Sequence, residues 1–292
     1  MLDKIDRVQI VVPDIGVATR GWIELLDAEP DGRDEVIGLG ASRQRLRIGT
    51  GIIEFLEPNG EGVVAEALGK RGAHLFAAGA SSTELEKLGA RFADKGITPL
   101  FEGGQFHLNE SETGIAGLRL VISEAQKRPS VGLVDFLYEA TILSADTEGV
   151  TRQMNELLGL DGSNYTEITS DVFGYRGTLT LFEKDCLDRL EVITPTREGT
   201  TMERYFSRFG QSLYMAFAET SDIRLIEHRA QSMGAGHTVD RPADRSDDLP
   251  ADQLWLHPRS LGGMMLGLSR PSMAWTWSGH PEWVKPLAED RI

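Results

Sequence analysis

A single cysteine, Cys186, stands in 292 residues. No disulfide can form within the chain, which fits a reducing cytoplasm. Cys186 has no clear histidine partner and so makes a poor nucleophile candidate. No apolar run reaches the ~18 residues that a spanning helix needs. The opening MLDKIDRVQIVVPD carries charge in its first four residues, unlike a signal peptide or a membrane span. Positive charge is also scarce. Lys and Arg number 30 against 45 Asp and Glu, for a formal charge of −15. This argues against nucleic acid or an anionic membrane as partner, since both attract basic patches. The ordinary meaning of such an excess is solubility.

What the chain does have is a repeat. A hydrophobic fraction of 40 % supplies full cores, and the length suits two units of about 140 residues. Val8 to Val12 reads as a strand, Ile15 to Leu26 as an amphipathic helix, and Pro30-Asp31-Gly32 as a loop. Arg43 to Ile48 and Gly51 to Leu56 read as paired strands around a Gly-Thr-Gly turn. A second unit follows from His74, with a helix over 82–95 closed by Gly96. The polar QKRPS at Gln126 to Ser130 is the best linker. The pattern then starts again. MNELLGLDG at Met154 to Gly162 echoes IELLDAEPDG at Ile23 to Gly32, and DRLEVITP at Asp188 to Pro195 echoes GIIEFLEP at Gly51 to Pro58. The expected architecture is α+β: four βαβββ modules paired into two curved mixed-sheet halves. The halves cover residues 1–125 and 131–270, and a tail runs over 271–292. Trp275, Trp277 and Trp283 of that tail suit a sheet edge or a subunit interface, which leaves a homodimer open.

The chain closes on LWLHPRSLGGMMLGL, Leu254 to Leu268. Two apolar runs flank a turn with Pro258 and Gly262-Gly263, the pattern of a β-hairpin. With the four-module layout, this stretch resembles the final hairpin of the vicinal-oxygen-chelate superfamily. That superfamily includes glyoxalases, methylmalonyl-CoA epimerases, bleomycin-resistance proteins and extradiol dioxygenases. The resemblance implies a cavity inside each curved sheet and a divalent metal held by ligands on the first and last strands of each module. It also implies a substrate that chelates through adjacent oxygens.

The matching slots are Arg7, Glu54, His74 and Val121 in the first half, and Glu139, Glu191, Met215 and Gly267 in the second. The family's histidine and its final glutamate are replaced here by Arg7 and Gly267. Arg7 beside Glu54 makes a salt bridge in place of a metal site. The best-supplied metal set is a mixed one, His74 with Glu139 and Glu191, suited to Fe, Mn, Ni or Zn; a site without metal is equally open. Glu139 and Glu191 are the candidate catalytic carboxylates, because a buried carboxylate suits proton abstraction beside a carbonyl. His257, Arg259, Met215 and Gly267 are the candidate substrate contacts, with Gly267 enlarging a cavity lined by Met215, Met264 and Met265.

Three readings follow from the resemblance. The first is an enzyme (lyase, isomerase or epimerase) acting on a small oxygenated carbonyl compound or acyl thioester. The second is a metal-free ligand-binding protein of the bleomycin-resistance kind. The third is an extradiol dioxygenase, which the ligand slots oppose.

Overall fold

The computed structural model describes residues 2–287. The first half of the chain runs β1 (Lys4–Val11), α1 (Ile15–Leu26), β2 (Glu29–Val36), β3 (Ala41–Ile48), β4 (Gly51–Pro58), α2 (Val63–Arg71), β5 (His74–Ser82), α3 (Leu85–Asp94), β6 (Leu100–Glu102), β7 (Gln105–Leu108), α4 (Glu110–Thr113) and β8 (Leu120–Glu124). The second runs β9 (Phe136–Leu143), α5 (Thr147–Leu158), β10 (Thr166–Ser170), β11 (Tyr175–Leu181), β12 (Arg189–Pro195), α6 (Thr201–Phe209), β13 (Ser212–Glu219), α7 (Ile223–Ser232), β14 (His237–Asp240), β15 (Gln253–Leu256) and β16 (Met265–Ser269). Each half folds into one eight-stranded mixed sheet. The strand orders are β2-β3-β4-β1-β5-β8-β7-β6 and β10-β11-β12-β9-β13-β16-β15-β14, the same order repeated. Both sheets curl into half-barrels.

The helices that open the two halves begin and end alike. Asp14 accepts a hydrogen bond from the Val17 amide at 2.9 Å, and Asp146 accepts one from Gly149 at 2.8 Å. Each thereby satisfies an amide that the first helical turn leaves unpaired. Both helices stop on a left-handed residue, Asp27 and Gly159. The segment EPDGRDEV departs from expectation. It forms edge strand β2 rather than a loop, because its register shift between Pro30 and Arg33 absorbs the turn residues.

One face of each sheet packs into a common core. Val8, Ile10, Ile53 and Phe55 of the first join Ala140, Ile142, Leu190 and Val192 of the second in it. Trp22 of α1 is fully buried there, and its indole N–H donates to the Leu261 carbonyl at 3.1 Å. Truncating such a side chain to alanine costs about 3–5 kcal/mol. Leu261 lies in the closing hairpin, so this bond ties the first helix to the last strands. The hairpin tip comes closer still at Gly263. It has φ +100°, and a Cβ there would sit 2.4 Å from the Ala73 backbone. Only glycine fits that approach.

The other face of each sheet looks into its own half-barrel. Val64 and Ala67 of α2 are buried in the first, with Val11, Leu56, Ala77 and Val121. In the second, α6 has no fully buried residue, although Met202, Tyr205 and Phe206 face the sheet.

Candidate functional site

The two half-barrels hold different interiors. The first is filled. Glu54 on β4 is fully buried and accepts from Gln9 Nε2 at 2.8 Å and Gln105 Nε2 at 2.6 Å. Arg7 Nη1 lies 3.5 Å from Glu54 Oε1, and Arg43 Nη1 lies 3.5 Å from Oε2, so the Arg7–Glu54 salt bridge forms. Arg7 also binds Asp6, and Arg43 also binds Asp34. Burial opposes ionisation of Glu54. The two arginines and two amides outweigh it and hold its pKa below the usual range. The space left beside this network is about 100 Å³.

The second half-barrel is open. A cavity of about 580 Å³ runs in from the surface, with Glu139 and Glu191 on its wall. Glu139 lies on β9 and Glu191 on the parallel neighbour β12, where Thr141 stands opposite Glu191. Thr141 sits two residues from Glu139 on the same strand and therefore shares its face. The Thr141 hydroxyl is 3.2 Å from Glu139 Oε1 and 2.6 Å from Glu191 Oε2. The hydroxyl has one hydrogen to give, and both carboxyl groups are within its reach, Glu191 the nearer. Burial first, and the Glu139 carboxylate second, push the Glu191 pKa well above the usual carboxylate range. Glu139 also accepts from Arg189 Nε at 2.7 Å. Arg189 is itself buried, donates to the Leu187 carbonyl, lies 4.8 Å over the Tyr138 ring, and leaves Nη2 without a partner.

The rest of the wall is apolar and aromatic. Tyr175, Tyr214, Phe217 and Trp255 line it from the strands, Tyr205 from α6 and Trp277 from the tail. Trp277 therefore serves the cavity rather than a sheet edge.

Of the expected site residues, the structure brings Glu139, Glu191, Met215 and His257 together around this cavity. His257 Nε2 is 2.9 Å from Thr238 Oγ1. The remaining expectations are corrected. His74 does not join the two glutamates. It is buried at the start of β5, opposite Val11 at the far end of β1, with Nδ1 2.7 Å from the Gly72 carbonyl. Burial, with smaller contributions from Arg71 and Arg119, lowers its pKa to about 4. Among the described residues no three His, Cys, Asp or Glu side chains are placed to hold a metal ion. The mixed metal set therefore does not fit this arrangement. Gly267 does not enlarge the cavity, because the Phe217 ring covers it; a Cβ there would lie 2.3 Å from Phe217 Cε1. Arg259 is exposed and off the cavity wall, and Met264 is in the common core.

Thr141, Arg189 and the aromatic wall were missed from sequence. The first two carry a signal: each lies two positions along a strand from a singled-out glutamate and so on the same face. The aromatic wall carries none, since its rings come from separated segments.

No protein-family model matches the chain, and no curated protein sequence matches it. Solved structures do. A triple mutant of 4-hydroxymandelate synthase from Streptomyces coelicolor superposes with a TM-score of 0.68 at 11 % identity, covering 92 % of this chain and 93 % of that one. A fusion of a xylose isomerase-like TIM barrel with 4-hydroxyphenylpyruvate dioxygenase gives 0.63 at 13 % identity, covering 92 % of this chain and 49 % of the fusion. Methylmalonyl-CoA epimerase from Mycobacterium tuberculosis covers 48 % of the chain at 21 % identity with a TM-score of 0.39. The chain has the fold of the vicinal-oxygen-chelate superfamily, in its four-module, two-sheet form.

Proposed function

We propose that the second half-barrel is an acid–base active site for a small, largely apolar substrate with an oxygenated carbon, an isomerase-, epimerase- or lyase-type reaction run without a metal. The observation that carries this reading is the hydrogen-bonded Glu139–Thr141–Glu191 chain on the wall of a deep aromatic cavity. Two carboxyl groups whose surroundings differ divide the work of an acid and a base. Glu139, oriented by Arg189, takes the proton from carbon. Glu191, held neutral by burial, offers a proton to the developing oxyanion. Positioned acid–base catalysis of this kind contributes roughly 10²–10⁴-fold.

The test is solvent exchange. Small aromatic ketones and hydroxyketones are incubated with the protein in D2O, and deuterium incorporation beside the carbonyl is followed by NMR. Exchange that disappears in Glu139→Gln and Glu191→Gln supports the reading. Exchange that survives both substitutions sinks it.

A second reading, ligand binding without turnover, is favoured by one feature. The Phe217 ring occupies the place above Gly267, from which the resembled family projects a metal-binding glutamate. It predicts tight binding of a small molecule with no exchange. The dioxygenase reading draws no support from the donor set, because Glu139, Met215 and Gly267 stand at its ligand positions.

A further inference from the structure

We infer that this cavity selects its ligand by charge, taking a protonated amine on an aromatic or alkyl body and rejecting carboxylates and phosphates. Among the described residues, the acidic side chains on the wall are Glu139 and Glu191, and no lysine or arginine lines it. Three arginines touch wall residues without lining it. Arg189 is bound to Glu139, Arg71 donates to the Tyr205 hydroxyl at 2.6 Å, and exposed Arg204 lies 3.3 Å from Thr201 Oγ1. His257 adds no competing cation, since burial and neighbouring His237 lower its pKa. An anion in the cavity would leave water and meet carboxyl groups with nothing to pair it, a costly transfer. An ammonium meets the opposite conditions. Tyr175, Tyr205, Tyr214, Trp255 and Trp277 line the space, and aromatic rings attract cations. The Glu139 carboxylate, although bound to Arg189, adds attraction in a wall that excludes water. A substrate spanning the cavity places its oxygenated carbon at Glu139 and Glu191 and its nitrogen over the rings.

The inference rests on the cavity being the substrate site, and its test is independent of turnover. Phenylbutylamine, phenylbutanol and phenylbutyrate share one body and differ in head-group charge. Their affinities at neutral pH are measured by calorimetry on the full chain and checked through the fluorescence of Trp255 and Trp277. The amine is expected to bind at least about tenfold tighter than the alcohol, and the carboxylate more weakly than either. In a Glu139→Gln/Glu191→Gln double variant, the gap between amine and alcohol should shrink to about threefold or less while the alcohol's own affinity holds. A thermal melt confirms that the variant is folded, and each single variant repeats the measurement should the double one fail to fold. Alcohol or carboxylate binding as tightly as the amine overturns charge selection, as does binding of none of the three. Neither result touches the proton-transfer reading. A clear amine preference without any solvent exchange would instead overturn proton transfer and leave charge selection standing.

Discussion

The two half-barrels share one strand order and differ at three of four matched positions. In the first, Gln9 stands opposite Glu54 and Arg7 opposite Ile52. In the second, Thr141 stands opposite Glu191 and Glu139 opposite Arg189. The glutamate on β4 and the glutamate on β12 therefore occupy the same place. One is ringed by two arginines and two amides, which hold its pKa down; the other is buried facing a second carboxyl group, which pushes its pKa up. The adjoining strands repeat the contrast. Gly79 leaves room for the Arg7 side chain, since a Cβ there would lie 2.0 Å from Arg7 Cγ. At the matching place Phe217 covers Gly267. The first interior was closed around Glu54 by donors that satisfy it. The second was left open, with its hydrogen-bonded carboxyl pair facing a cavity. A duplicated fold thus has one filled copy and one hollow copy, and the sign of one charged residue on the first strand, Arg7 or Glu139, separates them.

The strongest way to break this comparison is Glu54→Gln. Removing the central carboxylate leaves two buried guanidinium groups short of a partner and should cost about 3 kcal/mol or more of stability. Solvent exchange at the other half-barrel should be unchanged in whatever fraction remains folded. Urea denaturation alongside the exchange assay reads both, and a loss of specific activity would mean that the first half-barrel is not mere scaffold. The reverse outcome is expected for Glu191→Gln: about a hundredfold loss of exchange with little change in the denaturation midpoint, because burial and Glu139 already disfavour the charge that the substitution removes.

Asp188 sharpens the contrast through pH. It is buried where the halves meet and accepts from the Ile5 amide at 2.8 Å. Burial raises its pKa to about 7. A carboxyl whose folded pKa exceeds its unfolded value binds a proton that the unfolded chain releases. Stability therefore falls as pH rises from about 4 to about 7 and is level above that. Asp188→Asn keeps the acceptor and removes the charge. It should be more stable than the parent at pH 8, by on the order of 2 kcal/mol, and equal to it near pH 4. Melting curves at the two pH values decide, and a gap independent of pH would refute the assignment. The smallest expected effect belongs to Gly267→Ala. Its methyl displaces the Phe217 ring into the cavity, costing about 1 kcal/mol by overpacking and weakening phenylbutylamine binding. Unchanged affinity would show that Phe217 does not border the bound ligand.

Much of the fold was legible along the chain. The helices over Ile15–Leu26 and Thr147–Leu158 have the bounds that apolar spacing and cap residues indicate. The echo of GIIEFLEP in DRLEVITP marked the two strands that carry Glu54 and Glu191. Helices α2 and α6, edge strands β10 and β14, and strand β2 were not read, because short polar segments gain their structure from the sheets they join. The register of β5 slipped as well. His74 was matched to Met215, whereas pairing places Ala77 opposite Gln9 and Met215 opposite Thr141. Bulges in these pairs, between Gln9 and Ile10 and between Leu213 and Met215, shift the count by residues that no local pattern announces.

The sequence by itself determined the module, its repetition and the inward faces of Glu139 and Glu191, since strand alternation and helix periodicity are local properties of the chain. Tertiary structure alone decided the rest. It separated His74 from the glutamates, laid Phe217 over Gly267, brought Trp277 back from the tail to the cavity, and pushed the Glu191 pKa up while holding that of Glu54 down. Each of these depends on distances between strands and on the burial of charge, quantities that exist only once the sheets have curled and closed.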